Sequence, residues 1–358
     1  MTDSTFVIAE AGVNHDGSLE KALHLIDVAA TAGADAVKFQ TFQASKLVTA
    51  VARKAQYQIE NTKESGGQFE MLKRLELSLD DHRTLVAHCK ARGIRFMSTA
   101  FDADGLAFLA TLGMPALKVP SGDITCAPLL LKAARTGMPL IVSTGMSTIA
   151  DIELALGVIA FGRLYDREPR AGSEFVDAYC STEGRRALRE SVTLLHCVTQ
   201  YPAPPESVNL RAMDTMAAAF GLPVGYSDHT LGIGVSLAAV ARGATVIEKH
   251  FTLDRTSAGP DHAASLEPGE LAELVRGVRH IELALGSPIK GPAPQEVANR
   301  PIARRSLVAA RPIKAGAQIL AADLAYKRPG SGISPMHFWD TVGRTAARDF
   351  DVDEAIEQ

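Results

Sequence analysis

A (β/α)8 barrel followed by a small β-rich domain is the fold class this chain predicts, on three observations. Eight apolar runs, each followed by a helix-periodic stretch, fill about 285 residues. A Pro- and Gly-rich break follows, and then the pattern changes to short strands around turns. Strands alternating with helices make a parallel sheet, and eight such units suggest closure into a barrel. An open doubly wound sheet is the alternative, weakened because no GxGxxG follows the first strand.

The elements are taken in order. Phe6-Val7-Ile8-Ala9-Glu10 is the first strand, and Ser18 caps the helix after it, with Glu20 in its first turn and Gly33 at its end. The second strand is Ala36-Val37-Lys38-Phe39-Gln40, where Lys38 and Gln40 share one side. Residues 43–76 form a polar excursion too long for an ordinary connector. A helix over 79–92 precedes the third strand, 94–99; a helix over 104–112 precedes the fourth, 116–119. A helix over 127–136 leads to the fifth strand, 140–145, and Ser147 caps a helix to about 161. A charged insertion, 163–190, comes before the sixth strand, 192–197. A helix over 210–220 follows. The apolar runs 222–225 and 244–247 then flank a small-residue helix over 234–243, and a helix over 268–285 closes the set. The predicted domains are 1–286, a linker 287–300, and 301–358 with short strands at 306–310 and 313–319.

Composition narrows the class. The 358 residues are 46% hydrophobic and 22% charged, as in ordinary globular proteins. A net charge of -4 argues against a general nucleic-acid binder. No run approaches the roughly 18 apolar residues a membrane helix needs. Met1-Thr2-Asp3-Ser4 lacks a basic start and an apolar core, so a cytoplasmic protein is expected. The four cysteines show no CxxC spacing, which predicts reduced thiols.

In a barrel of this kind the chemistry lies at the carboxyl ends of the strands. The polar residues expected there are Glu10, Asn14, His15, Lys38, Gln40, Ser98, Thr99, Lys118, Ser121, Asp123, Ser143, His196, Thr199, Ser227, Asp228, His229 and His250. His229 and His250 close two successive strand runs, so two imidazoles converge on one ion if those strands are parallel neighbours. Two lysines with several hydroxyls and Gly amides suit a phosphorylated, anionic substrate. Bland readings stand beside these. Lys38 and Lys118 are either site cations or structural ion-pair partners. His196 is either a ligand or a hydrogen-bonded core residue, and His15 is either solvated or a substrate contact. Asp261 either caps a turn or faces the site from the last loop. His24, His82, His88 and His280 fall on helices and read as surface. Arg328, taken alone, reads as an exposed loop charge.

The chain resembles the sialic acid synthase family, the phosphoenolpyruvate-dependent synthases of nine-carbon 2-keto sugar acids. The resemblance is carried by Ile8-Ala9-Glu10-Ala11-Gly12-Val13-Asn14-His15, Val37-Lys38-Phe39-Gln40, Leu117-Lys118-Val119-Pro120-Ser121-Gly122-Asp123, Tyr226-Ser227-Asp228-His229-Thr230, Glu248-Lys249-His250-Phe251 and Gly259-Pro260-Asp261. The tail, with Lys327-Arg328-Pro329-Gly330, resembles the antifreeze-like SAF domain these enzymes carry. The match covers nearly the whole chain in motif order. It implies Mn2+, or another divalent ion such as Mg2+ or Co2+, held by His229 and His250. It implies phosphoenolpyruvate contacts from Lys38, Thr99, Lys118, Ser121, Ser143 and Ser227. It implies acceptor contacts from Gln40, Tyr201, Asp261 and the partner chain's Arg328 in a domain-swapped homodimer.

The product implied is N-acetylneuraminate from an N-acetylmannosamine-type sugar. N,N'-diacetyllegionaminate or pseudaminate from a 2,4-diacetamido-trideoxy hexose is the alternative. Glu10 or Asp123 is expected to serve as general base. Asp123 and Thr199 depart from the family pattern, in which Glu and Asn or Ser are expected, and the segments 43–76 and 163–190 are expected to shape the acceptor pocket. Two other classes stand beside this one: a Schiff-base aldolase using Lys38 or Lys118, and a catalytically inactive barrel whose SAF domain only binds glycans, against which the intact set of polar strand ends argues.

Overall fold

The computed structural model describes residues 4–62 and 66–357. The reading of the extreme N-terminus as carrying no export signal therefore falls, for residues 1–3, outside the described residues. The chain divides into two compact units, Met1–Gly286 and Ser287–Gln358.

The first unit is a closed barrel of eight parallel strands paired in sequence order, β1 back to β8, so the open-sheet alternative is discarded. Its elements are β1 (Phe6–Gly12), α1 (Leu19–Ala32), β2 (Ala36–Thr41), α2 (Ala44–Leu47), α3 (Gln56–Thr62), α4 (Gln68–Leu75), α5 (Leu79–Arg92), β3 (Arg95–Ala100) and α6 (Ala103–Leu109). The chain continues through β4 (Leu117–Val119), α7 (Ala127–Arg135), β5 (Leu140–Ser143), α8 (Ile149–Leu164), α9 (Ser173–Cys180), α10 (Thr182–Ser191) and β6 (Val192–Cys197). It ends with α11 (Ala212–Phe220), β7 (Val224–Asp228), α12 (Gly234–Ala241), β8 (Val246–His250) and α13 (Pro268–Leu285). Among the described residues no helix is long and apolar enough to cross a membrane.

Period-2 alternation gives each strand two faces. Val7, Ala9, Val37 and Phe39 point outward into the main core with the helices. Ile8, Ala36, Met97, Ala116, Ile141, Leu195 and Val246 point inward and form a separate apolar plug. Two residues further along each strand, the inward position turns polar: Glu10, Lys38, Thr99, Lys118, Ser143, Cys197 and Glu248. On β7 the plug position is Gly225 and the polar one Ser227. A Cβ at Gly225 would stand 2.4 Å from the Val246 carbonyl oxygen and 2.7 Å from a Leu195 methyl.

Several expectations are corrected. The cap of α8 is Thr148, not Ser147: its hydroxyl accepts from Asp151 N at 3.3 Å, and Asp151 accepts from Thr148 N at 2.8 Å. His82 is fully buried rather than surface. It shares one face of α5 with Leu85 and Cys89, three and seven residues on, and that face meets the core. Its Nδ1 donates to the Ser78 carbonyl at 2.8 Å, and its Nε2 accepts from Thr41 Oγ1 at 2.7 Å. The 163–190 insertion folds into α9 and α10, which pack on α8, with Phe175 edge-on to Phe161 at 5.5 Å.

The second unit holds an antiparallel pair, β9 (Ser306–Ala309) and β10 (Leu324–Lys327). Its own core includes Leu307, Ile313, Ile319, Phe350 and Ile356. The predicted strand over 313–319 is not continuous: Ile313 and Gln318 each make an isolated bridge, to Phe350 and Thr345. The predicted linker carries one short helix, α14 (Pro294–Val297); α15 (Arg300–Ala303) starts at its last residue, and α16 (Phe338–Thr341) lies near the end.

Replacing Gly225 with Ala should overpack the plug. The expected cost is about 2 kcal/mol of unfolding free energy, read as a lower urea midpoint; an unchanged midpoint would contradict the close approach of β7 and β8.

Candidate active site

A concentration of buried polar groups sits on the apolar plug. Register places Glu10 beside Lys38 on one side and beside His250 on the other. Thr99 pairs with Lys118, and Ser227 with Glu248. Parallel neighbours in a closed ring therefore bring side chains from distant sequence positions within reach of one another.

Four charges interlock there. Lys38 Nζ lies 2.7 Å from Glu10 Oε2 and 3.5 Å from Glu248 Oε2. Lys118 Nζ lies 3.5 Å from Glu248 Oε1. Hydroxyls complete the set: Lys38 donates to Thr99 Oγ1 at 3.1 Å, Lys118 to Ser143 Oγ at 2.6 Å, and Ser227 donates to Glu248 Oε1 at 2.9 Å. Two ammoniums balance two carboxylates in a dry setting, where an unmatched charge would be costly.

The two carboxyls are driven apart. Burial, opposed by Lys38 and reinforced by Glu248, pushes Glu10 up to about 7. Burial also raises Glu248, but Lys118 and Lys38 outweigh it and bring it to about 2. Glu248 thus carries the fixed charge, while Glu10 is poised to exchange a proton near neutrality. Burial draws Lys38 down, yet Glu10 and Glu248 more than offset that and hold its ammonium above the usual value. Lys118 is lowered by burial, which Glu248 offsets only in part.

His229 and His250 stand above this floor with ring centroids 5.6 Å apart. His229 Nδ1 donates to the Val198 carbonyl at 2.6 Å, which leaves the Nε2 lone pair for another partner. His250 Nδ1 is buried without a hydrogen-bond partner and lies 3.9 Å from Asp261 Oδ2. Burial holds His229 down to about 4 and His250 well below its usual value, so both rings are neutral. Two neutral imidazoles, one with an orphaned nitrogen, fit a divalent ion that keeps positions open for water or substrate oxygen. Among the described residues no group of three or more His, Cys, Asp or Glu is placed to hold a metal ion by itself. The ring of Tyr201 lies 4.1 Å from that of His229 and 5.1 Å from that of Tyr57.

The structure brings thirteen of the expected site residues into one cavity: Glu10, Lys38, Gln40, Thr99, Lys118, Ser121, Ser143, Thr199, Tyr201, Ser227, His229, His250 and Asp261. Burial raises Asp261 to about 6. Asp123 does not line the cavity, although Ser121 and Gly122 on the same turn do. Its Oδ2 is buried and unpartnered, and burial pushes it up to about 6. Arg328 belongs to the second unit and is exposed there.

Other polar strand-end residues face the helices instead. His196 Nε2 donates to the Val208 carbonyl at 2.6 Å. Ser98 meets Thr41 at 2.7 Å, and Asp228 pairs with Lys249 at 3.0 Å. Asn14 donates to the Phe251 carbonyl and to Ser265. His15 is wholly buried, with Nδ1 accepting from Gly17 N at 3.0 Å. Of the two unusual segments only 43–76 reaches the cavity, through Tyr57, Gln58, Met71, Leu72 and Leu75. The insertion 163–190 does not, because its helices pack on the outside of α8.

Two site residues are not singled out by the sequence pattern, Glu248 and Cys197. A signal for Glu248 exists in its position two before His250, the same spacing that puts Lys38 with Gln40. Cys197 Sγ lies 3.1 Å from Ser121 Oγ, and burial raises its thiol.

Comparison with known proteins identifies the family. Residues 25–290 match the NeuB family and residues 304–357 the SAF domain. The chain is 45% identical, over 99% of both chains, to an N,N'-diacetyllegionaminic acid synthase of Campylobacter jejuni. It is 46% identical to a protein of the same description from Legionella pneumophila, over 94% of this chain and 89% of that one. A crystal structure of N-acetylneuraminic acid (sialic acid) synthetase from Leptospira borgpetersenii superposes with a TM-score of 0.66 at 34% identity, covering 83% of this chain and 90% of that one. The chain belongs to the NeuB family of sialic acid synthases and carries a SAF domain.

Because Glu248 is the charge shared by both lysines, Glu248→Ala should cost about 3 kcal/mol of stability. Inorganic phosphate should raise the variant's unfolding midpoint more than the wild type's, since an added anion replaces the lost charge. Equal phosphate effects would contradict the network.

Proposed function

We propose that this chain is a transferase that condenses phosphoenolpyruvate with an open-chain N-acetylmannosamine-type amino sugar, releasing phosphate and forming a nine-carbon 2-keto sugar acid of the N-acetylneuraminate type. One observation carries the reading: two buried lysines ringed by hydroxyls share a cavity with two neutral, inward-facing imidazoles. The lysines suit the phosphate and carboxylate of phosphoenolpyruvate. When bound, a divalent ion such as Mn2+ on His229 and His250 supplies Lewis-acid polarisation of the acceptor aldehyde.

The remaining chemistry falls to the chain's own groups. Lys38, Lys118, Ser121 and Ser143 hold the anionic donor, while Gln40, Tyr201 and Asp261 orient the acceptor. Carbon 3 of phosphoenolpyruvate bonds to the aldehyde carbon, whose oxygen becomes a hydroxyl with the proton of the Glu10 carboxyl. Water adds to carbon 2 and returns a proton to Glu10. The tetrahedral carbon then expels phosphate with the bridging oxygen, the hydroxyl proton leaves with the phosphate, and the 2-keto acid remains. The lysines stabilise the charge on the departing phosphate.

A second reading has its own support. The two relatives at 45% and 46% identity are named N,N'-diacetyllegionaminic acid synthases, which points to a 2,4-diacetamido-trideoxy hexose as acceptor. A homodimer, with Arg328 contributing to acceptor affinity, belongs to the same proposal.

Phosphate release should require phosphoenolpyruvate, an N-acyl amino sugar and a divalent ion together. Phosphoenolpyruvate labelled with 18O at the bridging position should deliver the label to phosphate; label in the sugar acid would refute C–O cleavage. Lys118→Ala should lower kcat/KM for phosphoenolpyruvate by roughly 100-fold or more. His229→Ala should lose both turnover and Mn2+ binding measured by electron paramagnetic resonance; retained binding would remove that residue from the metal site. Arg328→Ala should raise the acceptor KM and leave that of phosphoenolpyruvate unchanged. Borohydride with substrate should trap no covalent adduct, because a trapped imine belongs to the aldolase class.

A further inference from the structure

Asp261 reaches the cavity from the long connection between β8 and α13, residues 251–267. A connection of that length does not by itself hold a carboxylate in one place. Three anchors hold it here. Asn61 of α3 donates to the Pro260 carbonyl at 2.8 Å. Asn14, in the turn after β1, uses both hydrogens of its amide: one goes to the Phe251 carbonyl at 2.8 Å and the other to Ser265 Oγ at 2.9 Å. Ser265 in turn donates to the Asp261 carbonyl at 2.7 Å. Asp16, in the same turn as Asn14, accepts from His262 Nε2 at 3.0 Å, and the far side of that ring meets Thr252 Oγ1 at 2.7 Å. Pro260, Asp261 and His262 are thus held, directly or through Ser265, by groups outside their own connection. Asn14, Ser265 and His262 are each at most 2% exposed, and none of them lines the cavity. The turn after β1 is itself fixed. Asp16 has a left-handed φ of 54°, which Asp tolerates better than most residues. Gly17 brings the turn against α4, where a Cβ would stand 2.2 Å from the Arg74 carbonyl oxygen.

We propose that Asn14 and Asp16 are positioning residues for the acceptor, acting through Asp261: Asn14 by way of Ser265, and Asp16 by way of His262. That role rests on the reading above, in which Asp261 orients the acceptor. Barrel closure makes the arrangement possible. β1 pairs with β8, so the connections that leave these two strands run side by side, and residues 246 positions apart become hydrogen-bond partners. The physical case concerns order before binding. A carboxylate on a free loop samples many places, and ordering it consumes part of the substrate's binding free energy. A carboxylate whose backbone is cross-linked on both sides is in place before the sugar arrives. The donor site has no such need, because Lys38, Thr99, Lys118 and Ser143 stand on the strands themselves. Loss of an anchor therefore weakens the acceptor and spares the donor.

The test is steady-state phosphate release by the full chain with Mn2+, phosphoenolpyruvate and, in parallel, N-acetylmannosamine and the 2,4-diacetamido-2,4,6-trideoxy sugar. Asn14→Ala, Ser265→Ala and Asp16→Ala are each expected to raise the KM of the sugar that is used by roughly 5- to 10-fold. The KM of phosphoenolpyruvate is expected to stay within about twofold of wild type. So is Mn2+ affinity, read by electron paramagnetic resonance, in Ser265→Ala, which leaves the Asn14 bond beside His250 intact. Asp16→Asn keeps an acceptor oxygen and tolerates the left-handed turn, so it is expected to restore the acceptor KM to within about twofold of wild type. In an Asp261→Ala background the effect of Ser265→Ala or Asp16→Ala is expected to fall below about twofold, because the group they position is gone. Asp16 is partly exposed, so its variants keep the test open if a buried variant fails to fold. An undiminished effect in the Asp261→Ala background overturns the proposal, and so does an equal rise in KM for both substrates. An acceptor KM unchanged by Asp261→Ala alone overturns the reading of Asp261 as an acceptor contact, and absence of phosphate with both sugars overturns the condensation reading; either takes this role with it.

Discussion

Everything at the working end of the barrel depends on four buried charges that must neutralise one another. Glu10, Lys38, Glu248 and Lys118 sit on an apolar plug, where a lone charge would cost several kcal/mol. The ring pairs each ammonium with a carboxylate and fills the remaining sites with Thr99, Ser143 and Ser227. This balance does more than stabilise. It splits the two carboxyls, so that one stays ionised and the other, Glu10, can move a proton near neutral pH. It also leaves both lysines partly committed to carboxylates, so an entering anion must compete for them.

The plug and the charge ring are two layers of one geometric rule. Inward positions recur every second residue along a strand, and each strand passes from apolar to polar in one such step, as Ile8 does to Glu10 and Val246 to Glu248. Outward positions obey different needs. Asp228 and Lys249 form a fully buried pair on the helix side, and Asp228 also accepts from Thr230 and Ser236. Each is the immediate neighbour of a candidate metal ligand, His229 or His250. The pair therefore anchors, from outside the barrel, the two strand ends whose imidazoles project inward. The Ser98–Thr41–His82 chain plays a comparable part behind β2 and β3, with every donor matched to an acceptor.

The two long segments divide between the outside of the barrel and the cavity. Residues 163–190 add two helices to the outside of α8 and leave the cavity untouched. The excursion 43–76 lends the cavity Met71, Leu72 and Leu75 and sets the ring of Tyr57 against that of Tyr201.

Much of this is legible in the amino-acid sequence. Repeated strand–helix alternation specifies the barrel, because apolar periodicity is a local property of the chain. Most site residues are visible too, since Lys38, Lys118, His229 and His250 are polar groups inside strand-end apolar runs, where burial without a partner is costly. Other assignments need the fold. His196 and Cys197 are adjacent, and sequence alone does not say which one faces the cavity. Strand pairing decides it, turning Cys197 inward and His196 toward Val208. Glu248 escapes notice in the sequence because its lysine partners lie 210 and 130 positions away, and only barrel closure brings them together. His82 reads as surface until its helix face meets the core. Local pattern sets the strands, helices and polar positions; the register of a closed ring, a long-range constraint, decides which of those positions meet.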